Sequence, residues 1–180
     1  VKRKAVPLKS NKSDEKYEIQ GGLKDMIARE NKGSASILVV DDELSVRESM
    51  TEWFLEDGHR AESASDATEA LKKLKPGLWD IIFLDIKLPG MDGIELQERI
   101  KKIDPDATII IITAYAAVDT AVKSLREGAY DYITKPIDPD YLSHLVNNVI
   151  KQKRLLSENI QLKEQIQELY EIDQMVGESP

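Results

Sequence analysis

Four apolar runs in this chain each stop on a chemically demanding residue, and that repetition constrains the fold more than any other feature. Ile37-Leu38-Val39-Val40 leads into Asp41-Asp42, Ile81-Ile82-Phe83-Leu84 into Asp85, and Ile109-Ile110-Ile111-Ile112 into Thr113. Tyr130-Asp131-Tyr132-Ile133-Thr134 leads into Lys135-Pro136. Short β-branched runs that alternate with helical patterns read as buried strands of a parallel sheet. Open parallel sheets collect ligands at the carboxyl ends of their strands. The four endings therefore predict one shallow crevice holding three carboxylates, a hydroxyl and an ammonium, a set suited to magnesium and a phosphoryl group.

From Ile37 to about Ile150, strand and helix signals alternate five times. Apolar spacing predicts a helix over Val46–Leu55, with Val46, Met50, Trp53 and Phe54 on one face. Further helices are expected over Asp66–Leu74, Gly93–Ile103, Val118–Glu127 and from Pro139 onward, and a short second strand over Arg60–Ala64. Asp57-Gly58, Pro76-Gly77, Pro89-Gly90, Asp104-Pro105 and Glu127-Gly128 sit where an element must stop. Five βα units in a row predict an α/β fold: a doubly wound, five-stranded parallel sheet with helices on both faces.

The flanks differ in composition. Residues 1–35 are rich in Lys, Ser, Asn and Gly and read as a flexible N-terminal arm, in which Leu23, Met26 and Ile27 have the spacing of one or two helical turns. The folded domain is expected over 36–150. In 151–175, Leu155, Leu162 and Leu169 recur every seven residues, with Asn159, Ile166 and Asp173 four residues after each. That is the seam of a coiled coil, in which Asn159 could fix register and a two-stranded state, so a homodimer is expected. A lone helix with a thin apolar stripe is the plainer alternative. Residues 176–180 read as the start of a following domain.

Composition excludes several functions. A formal net charge of -8 argues against a chain whose main task is to hold nucleic acid, and the basic opening Val1-Lys2-Arg3-Lys4 reads as a solvated tail. With no cysteine there is no disulfide framework, no thiol nucleophile and no thiolate zinc site. No apolar stretch approaches the roughly 18 residues of a membrane span, and no signal core follows the basic opening, so a cytoplasmic location is expected.

A single Asp after a strand is ordinarily a turn former or a helix cap. The set is what carries chemistry: Asp41, Asp42 and Asp85 in one small volume repel one another and call for a hard divalent counter-ion. Lys135 supplies a point charge for a phosphoryl oxygen. Asp85 is the best nucleophile toward phosphorus, because it ends a central strand and precedes the turn Lys87-Leu88-Pro89-Gly90-Met91-Asp92-Gly93. That turn lets the Lys87 backbone carbonyl face the metal. Thr113 can donate its hydroxyl to the same phosphoryl group, and the small Ala114 leaves room for the donor.

Val39-Val40-Asp41-Asp42-Glu43, Leu84-Asp85-Ile86-Lys87-Leu88-Pro89-Gly90-Met91-Asp92-Gly93, Thr113-Ala114 and Lys135-Pro136 resemble, in order and spacing, the receiver domain of two-component response regulators. The resemblance covers about Ser36 to Ile150. It implies a flavodoxin-like sheet with strand order 2-1-3-4-5 and a cis Lys135–Pro136 bond. It implies that Asp85 takes a phosphoryl group from a histidine kinase's phosphohistidine, with Asp42, Asp85 and the Lys87 carbonyl on magnesium and Asp41 acting mainly through water. Such a domain catalyses its own phosphorylation and dephosphorylation and is not an enzyme turning over a pool of substrate. Lys87 occupies the variable position two after the acceptor, where it is expected to tune dephosphorylation.

The resemblance also implies a switch in which the Thr113 hydroxyl moves inward and Tyr132 turns into the space it leaves. The affected face, within 118–150, runs into the coiled coil, so phosphorylation is expected to change the dimer's arrangement. Gly177-Glu178-Ser179-Pro180 resembles the opening of the ATPase domain in the nitrogen-regulator class, which activates sigma-54 promoters. No Walker A sequence occurs, so the AAA+ ATPase and the DNA-binding output are expected outside this chain. Two alternatives are a magnesium-dependent phosphohydrolase of the haloacid dehalogenase kind and a dimerising module without chemistry. The first needs an acid two residues after its nucleophile, where this chain has Lys87; the second leaves a complete set of site residues unused.

Overall fold

The structure, a computed structural model, describes residues 33–114 and 118–177, with only the backbone at Val118. The expected arm residues Leu23, Met26 and Ile27 and the closing Glu178-Ser179-Pro180 lie outside the described residues. The chain alternates β1 (Ser36–Val40), α1 (Leu44–Glu56), β2 (Arg60–Ala64), α2 (Ala67–Lys73), β3 (Ile81–Asp85), α3 (Gly93–Ile103), β4 (Thr108–Thr113), α4 (Val118–Arg126), β5 (Asp131–Thr134) and α5 (Pro139–Gly177). All neighbouring strands pair in parallel in the order β2-β1-β3-β4-β5. This is the doubly wound, flavodoxin-like sheet expected from the sequence.

Period-two alternation assigns each strand residue to one of two cores. Leu38, Val40, Ile82, Leu84, Ile109 and Ile111 face α2, α3 and α4, where Ala70, Leu96, Ile100 and Ala121 are also buried. Ile37, Val39, Ile81, Phe83, Ile110 and Ile112 face α1 and α5, meeting Met50, Phe54, Leu142, Val146 and Val149. Phe54 stacks on Phe83 with ring centroids 5.1 Å apart. Each large aliphatic buried this way contributes about 1.5–3 kcal/mol relative to exposure. The central strands are therefore held from both faces, and their ends are fixed platforms.

Boundaries follow local chemistry. Asp66 and Asp92 cap α2 and α3 by accepting from the Glu69 and Ile94 amides at 2.8 and 3.1 Å. Helix α1 begins at Leu44, two residues before the expected Val46; Leu44 is largely exposed and adds nothing to the apolar period that marks the helix in the sequence. Strand β5 starts at Asp131, leaving Tyr130 just outside it. Helix α5 buries Leu142, Leu145, Val146 and Val149, then continues with Leu155, Leu162, Ile166 and Leu169 exposed. At the transition, Lys153 Nζ donates to the Asp80 carbonyl at 2.7 Å and the Tyr130 hydroxyl to Gln152 Oε1 at 3.0 Å.

The turn after β3 is packed tightly against it. Gly93 donates its amide to the Ile86 carbonyl at 2.9 Å, and a Cβ there would stand 2.5 Å from the Asp85 carbonyl oxygen and 2.6 Å from the Ile86 Cα. Only glycine lets α3 start so close to the strand end. Gly93→Ala is expected to lower unfolding free energy by about 1–3 kcal/mol, the range for overpacking a rigid site. Urea denaturation checks this, and an unchanged midpoint would contradict it.

Candidate functional site

Parallel register turns the sequence endings into neighbours. Val40 pairs with Leu84, so Asp41 and Asp85 follow side by side. Asp85 pairs with Ile112, which puts Thr113 one step beyond, and Thr113 pairs with Thr134, which brings Lys135 to the same edge. The Lys135 amide donates to the Thr113 carbonyl at 2.9 Å, and the Lys135–Pro136 bond is cis.

Lys135 Nζ lies 3.1 Å from Asp85 Oδ2, 3.1 Å from Asp41 Oδ2 and 2.6 Å from Glu43 Oε1. The contacts with Asp85 and Glu43 are hydrogen bonds. The contact with Asp41 is an ion pair only, its direction leaving the buried Oδ2 without an accepted hydrogen bond. Asp41 Oδ1 accepts from the Glu43 amide at 2.8 Å, and Asp85 Oδ1 from the Lys87 amide at 2.9 Å. Thr113 is buried, and its hydroxyl donates to the Ala114 carbonyl at 3.1 Å. Tyr132 is half-buried against the core on the α2–α4 face.

Carboxylate oxygens of Asp41, Asp42, Glu43 and Asp85 all lie within 4.8 Å of one another. One ammonium faces four carboxylates, so the cluster has an excess of negative charge. Burial pushes the Asp41 carboxyl up to about 6, with the Asp85 charge adding to the rise while the Glu43 amide and Lys135 oppose it. Burial would lower the Lys135 ammonium, but its contacts with Glu43, Asp41 and Asp85 outweigh that and hold it above the ordinary lysine range. Lys135 is thus a permanent cation here. The donor set is entirely hard oxygen, and one buried oxygen aimed at the cluster accepts no hydrogen bond, which fits a hard divalent cation.

Two residues of this neighbourhood were not singled out by the sequence. Glu43 is the N-cap of α1, yet its carboxylate makes no capping bond and grips Lys135 instead. Arg47 Nη1 donates to the carbonyls of both Asp41, at 2.7 Å, and Asp42, at 2.9 Å. The acidic run Asp41-Asp42-Glu43 contained a signal for the first; nothing in an Arg on a helix announces a bond to the loop before it.

The native state holds the Asp41 proton to higher pH than the unfolded chain, whose value is near 3.8. Its stabilising contribution is complete below about pH 4 and is lost as pH rises through about 6. Without divalent cations near neutral pH, Asp41→Asn is expected to raise unfolding free energy by roughly 1–3 kcal/mol, as a shift of that size implies. It should also reduce the stabilisation gained on adding magnesium. A urea midpoint at or below the wild-type value would contradict this.

The sequence model of the response regulator receiver domain matches residues 37–147. The chain is 32% identical over 145 residues to the C4-dicarboxylate transport transcriptional regulatory protein DctD of Rhizobium meliloti, covering 81% of this chain and 32% of that protein. It is 38% identical over 119 residues to the transcriptional regulatory protein ZraR of Klebsiella oxytoca, covering 66% of this chain and 27% of that one. The chain thus spans about a third of the length of these curated relatives. The crystal structure of NtrX from Brucella abortus matches with a TM-score of 0.68 at 35% identity, over 72% of this chain and 29% of that one.

Proposed function

This chain belongs to the response regulator receiver domain family, and from that premise we propose that Asp85 accepts a phosphoryl group from the phosphohistidine of a sensor histidine kinase. The observation that carries the proposal is the placement of Asp85. It is 5% exposed at the end of the central strand, with one oxygen held by the Lys87 amide and the other by Lys135, inside a cluster of carboxylates. A carboxylate oxygen attacks phosphorus in line, the phosphorus–nitrogen bond breaks, and the leaving imidazole keeps the electron pair and takes a proton from water.

Asp42, Asp85 and the Lys87 backbone carbonyl would hold magnesium, with Asp41 contributing mainly through water, and the bound ion would neutralise charge on the phosphoryl oxygens. Lys135 trades its bond with Asp85 for one with a phosphoryl oxygen, remaining the fixed cation of the site. The Thr113 hydroxyl exchanges the Ala114 carbonyl for the same group, a charge-assisted bond stronger than the one it gives up. Tyr132, half-buried on the neighbouring strand where it pairs with Ile111, turns into the space vacated. Two packings of similar energy biased by one new anion suffice for a switch.

The face that responds comprises α4, β5 and the first part of α5, and α5 runs on without a break to Gly177. We propose that the exposed residues Leu155, Leu162, Ile166 and Leu169, with Asn159 and Asp173, form a homodimeric seam, and that phosphorylation changes its arrangement. Regulation of a sigma-54-dependent AAA+ output domain is the corresponding role for the whole protein. No helix among the described residues is long and apolar enough to cross a membrane.

Incubation with acetyl phosphate and magnesium is expected to add one phosphoryl group per chain, read by intact-mass spectrometry, and none in Asp85→Asn. Absence of the gain in the wild type would contradict the proposal. For the dimer, sedimentation of the beryllofluoride-treated and untreated protein should differ in association constant or shape, and identical behaviour would remove that part.

A further inference from the structure

We infer that Arg47 is a positioning residue for the metal loop: its guanidinium holds the Asp41-Asp42 turn in the shape that aims both carboxylates at the cation. The inference rests on the magnesium site proposed above. Arg47 stands in the first turns of α1, and its Nη1 reaches back to two successive carbonyls, Asp41 O at 2.7 Å and Asp42 O at 2.9 Å. Those carbonyls belong to the peptide planes on either side of Asp42. Fixing both planes fixes the φ and ψ that relate them, and so the direction of the Asp42 Cβ.

The Asp42–Glu43 plane has one further tie, the Glu43 amide on Asp41 Oδ1, whereas the Asp41–Asp42 plane is held, among the described residues, by Arg47 alone. The Asp42 carboxylate is exposed and, among the described residues, enters no hydrogen bond or ion pair, so the backbone is what orients it. Asp41 has further anchors: its amide donates to the Ala64 carbonyl at 3.2 Å, and its Oδ1 takes the Glu43 amide. Glu43, the N-cap of α1, does not brace the turn with its side chain, because that carboxylate is engaged by Lys135. The charged guanidinium makes both bonds charge-assisted and therefore stiff. It contacts neither the proposed ligand oxygens nor Asp85, and acts through the loop alone.

Two effects of removing Arg47 have opposite signs. Deleting a positive charge beside a cation site strengthens cation binding by Coulomb's law. Loosening a loop that carries the ligands weakens it, typically about 10–100-fold for a residue that orients metal ligands. The direction of the change therefore separates positioning from bulk electrostatics.

Magnesium titration of the wild type, Arg47→Met and Arg47→Lys by isothermal calorimetry tests the inference, with circular dichroism confirming the fold. Arg47→Met is expected to bind magnesium about tenfold or more weakly. Arg47→Lys, which keeps the charge and two donors on one nitrogen, is expected to stay within about threefold of wild type. If Arg47→Met does not fold, Arg47→Gln is read by the same sign. Folded Arg47→Met, or Arg47→Gln in its place, binding as tightly as wild type or more tightly would overturn the positioning role while leaving the metal site intact. A wild type that binds no magnesium would overturn the site and the inference together.

Discussion

Crowding of carboxylates around one buried-edge lysine is the constraint on which the rest of the structure depends. Asp41, Asp42, Glu43 and Asp85 share a volume in which their oxygens lie within 4.8 Å, and Lys135 is placed among Asp41, Glu43 and Asp85. A cluster of this kind is costly to fold, since like charges in a desolvated corner oppose ionisation and the Asp41 carboxyl is raised to about 6. The cost is also what makes the site responsive. Any ligand that supplies positive charge, or that rearranges the negative charge around Lys135, acts on an arrangement already out of balance.

The fold keeps that arrangement from relaxing. The strands that end in Asp41, Asp85 and Thr113 are buried from both faces, so the carboxylates cannot move apart by shifting the sheet. Loop contacts complete the restraint: the Lys87 amide on Asp85, the Glu43 amide on Asp41, and the close approach of Gly93 behind the Asp85 peptide. Thr113 spends its hydroxyl on the neighbouring Ala114 carbonyl, a bond easily exchanged, and Tyr132 is only half-buried.

Much of this was legible in the sequence because it depends on period and order. Continuous β-branched apolar runs located β1, β3 and β4, and parallel connection forced Asp41, Asp85, Thr113 and Lys135 to one edge. The remainder depends on loop conformation, which has no period. That Glu43 and not Asp42 grips Lys135 follows from how the chain turns between Val40 and Leu44. The Arg47 bonds to Asp41 and Asp42 arise for the same reason, and exposed positions such as Leu44 gave no pattern by which to place the start of α1. The heptad stripe from Leu155 to Leu169 was equally plain in the sequence, and the structure leaves it exposed on a single helix.

With four acids so close, the identity of the acceptor is the central claim, and chemical trapping tests it most directly. Borohydride reduces an aspartyl phosphate to homoserine, so phosphorylated protein can be reduced, digested and sequenced by tandem mass spectrometry. Homoserine at position 85 alone is the predicted result. Homoserine at position 41 or 42, or a phosphoryl group carried with no residue converted, would contradict the account.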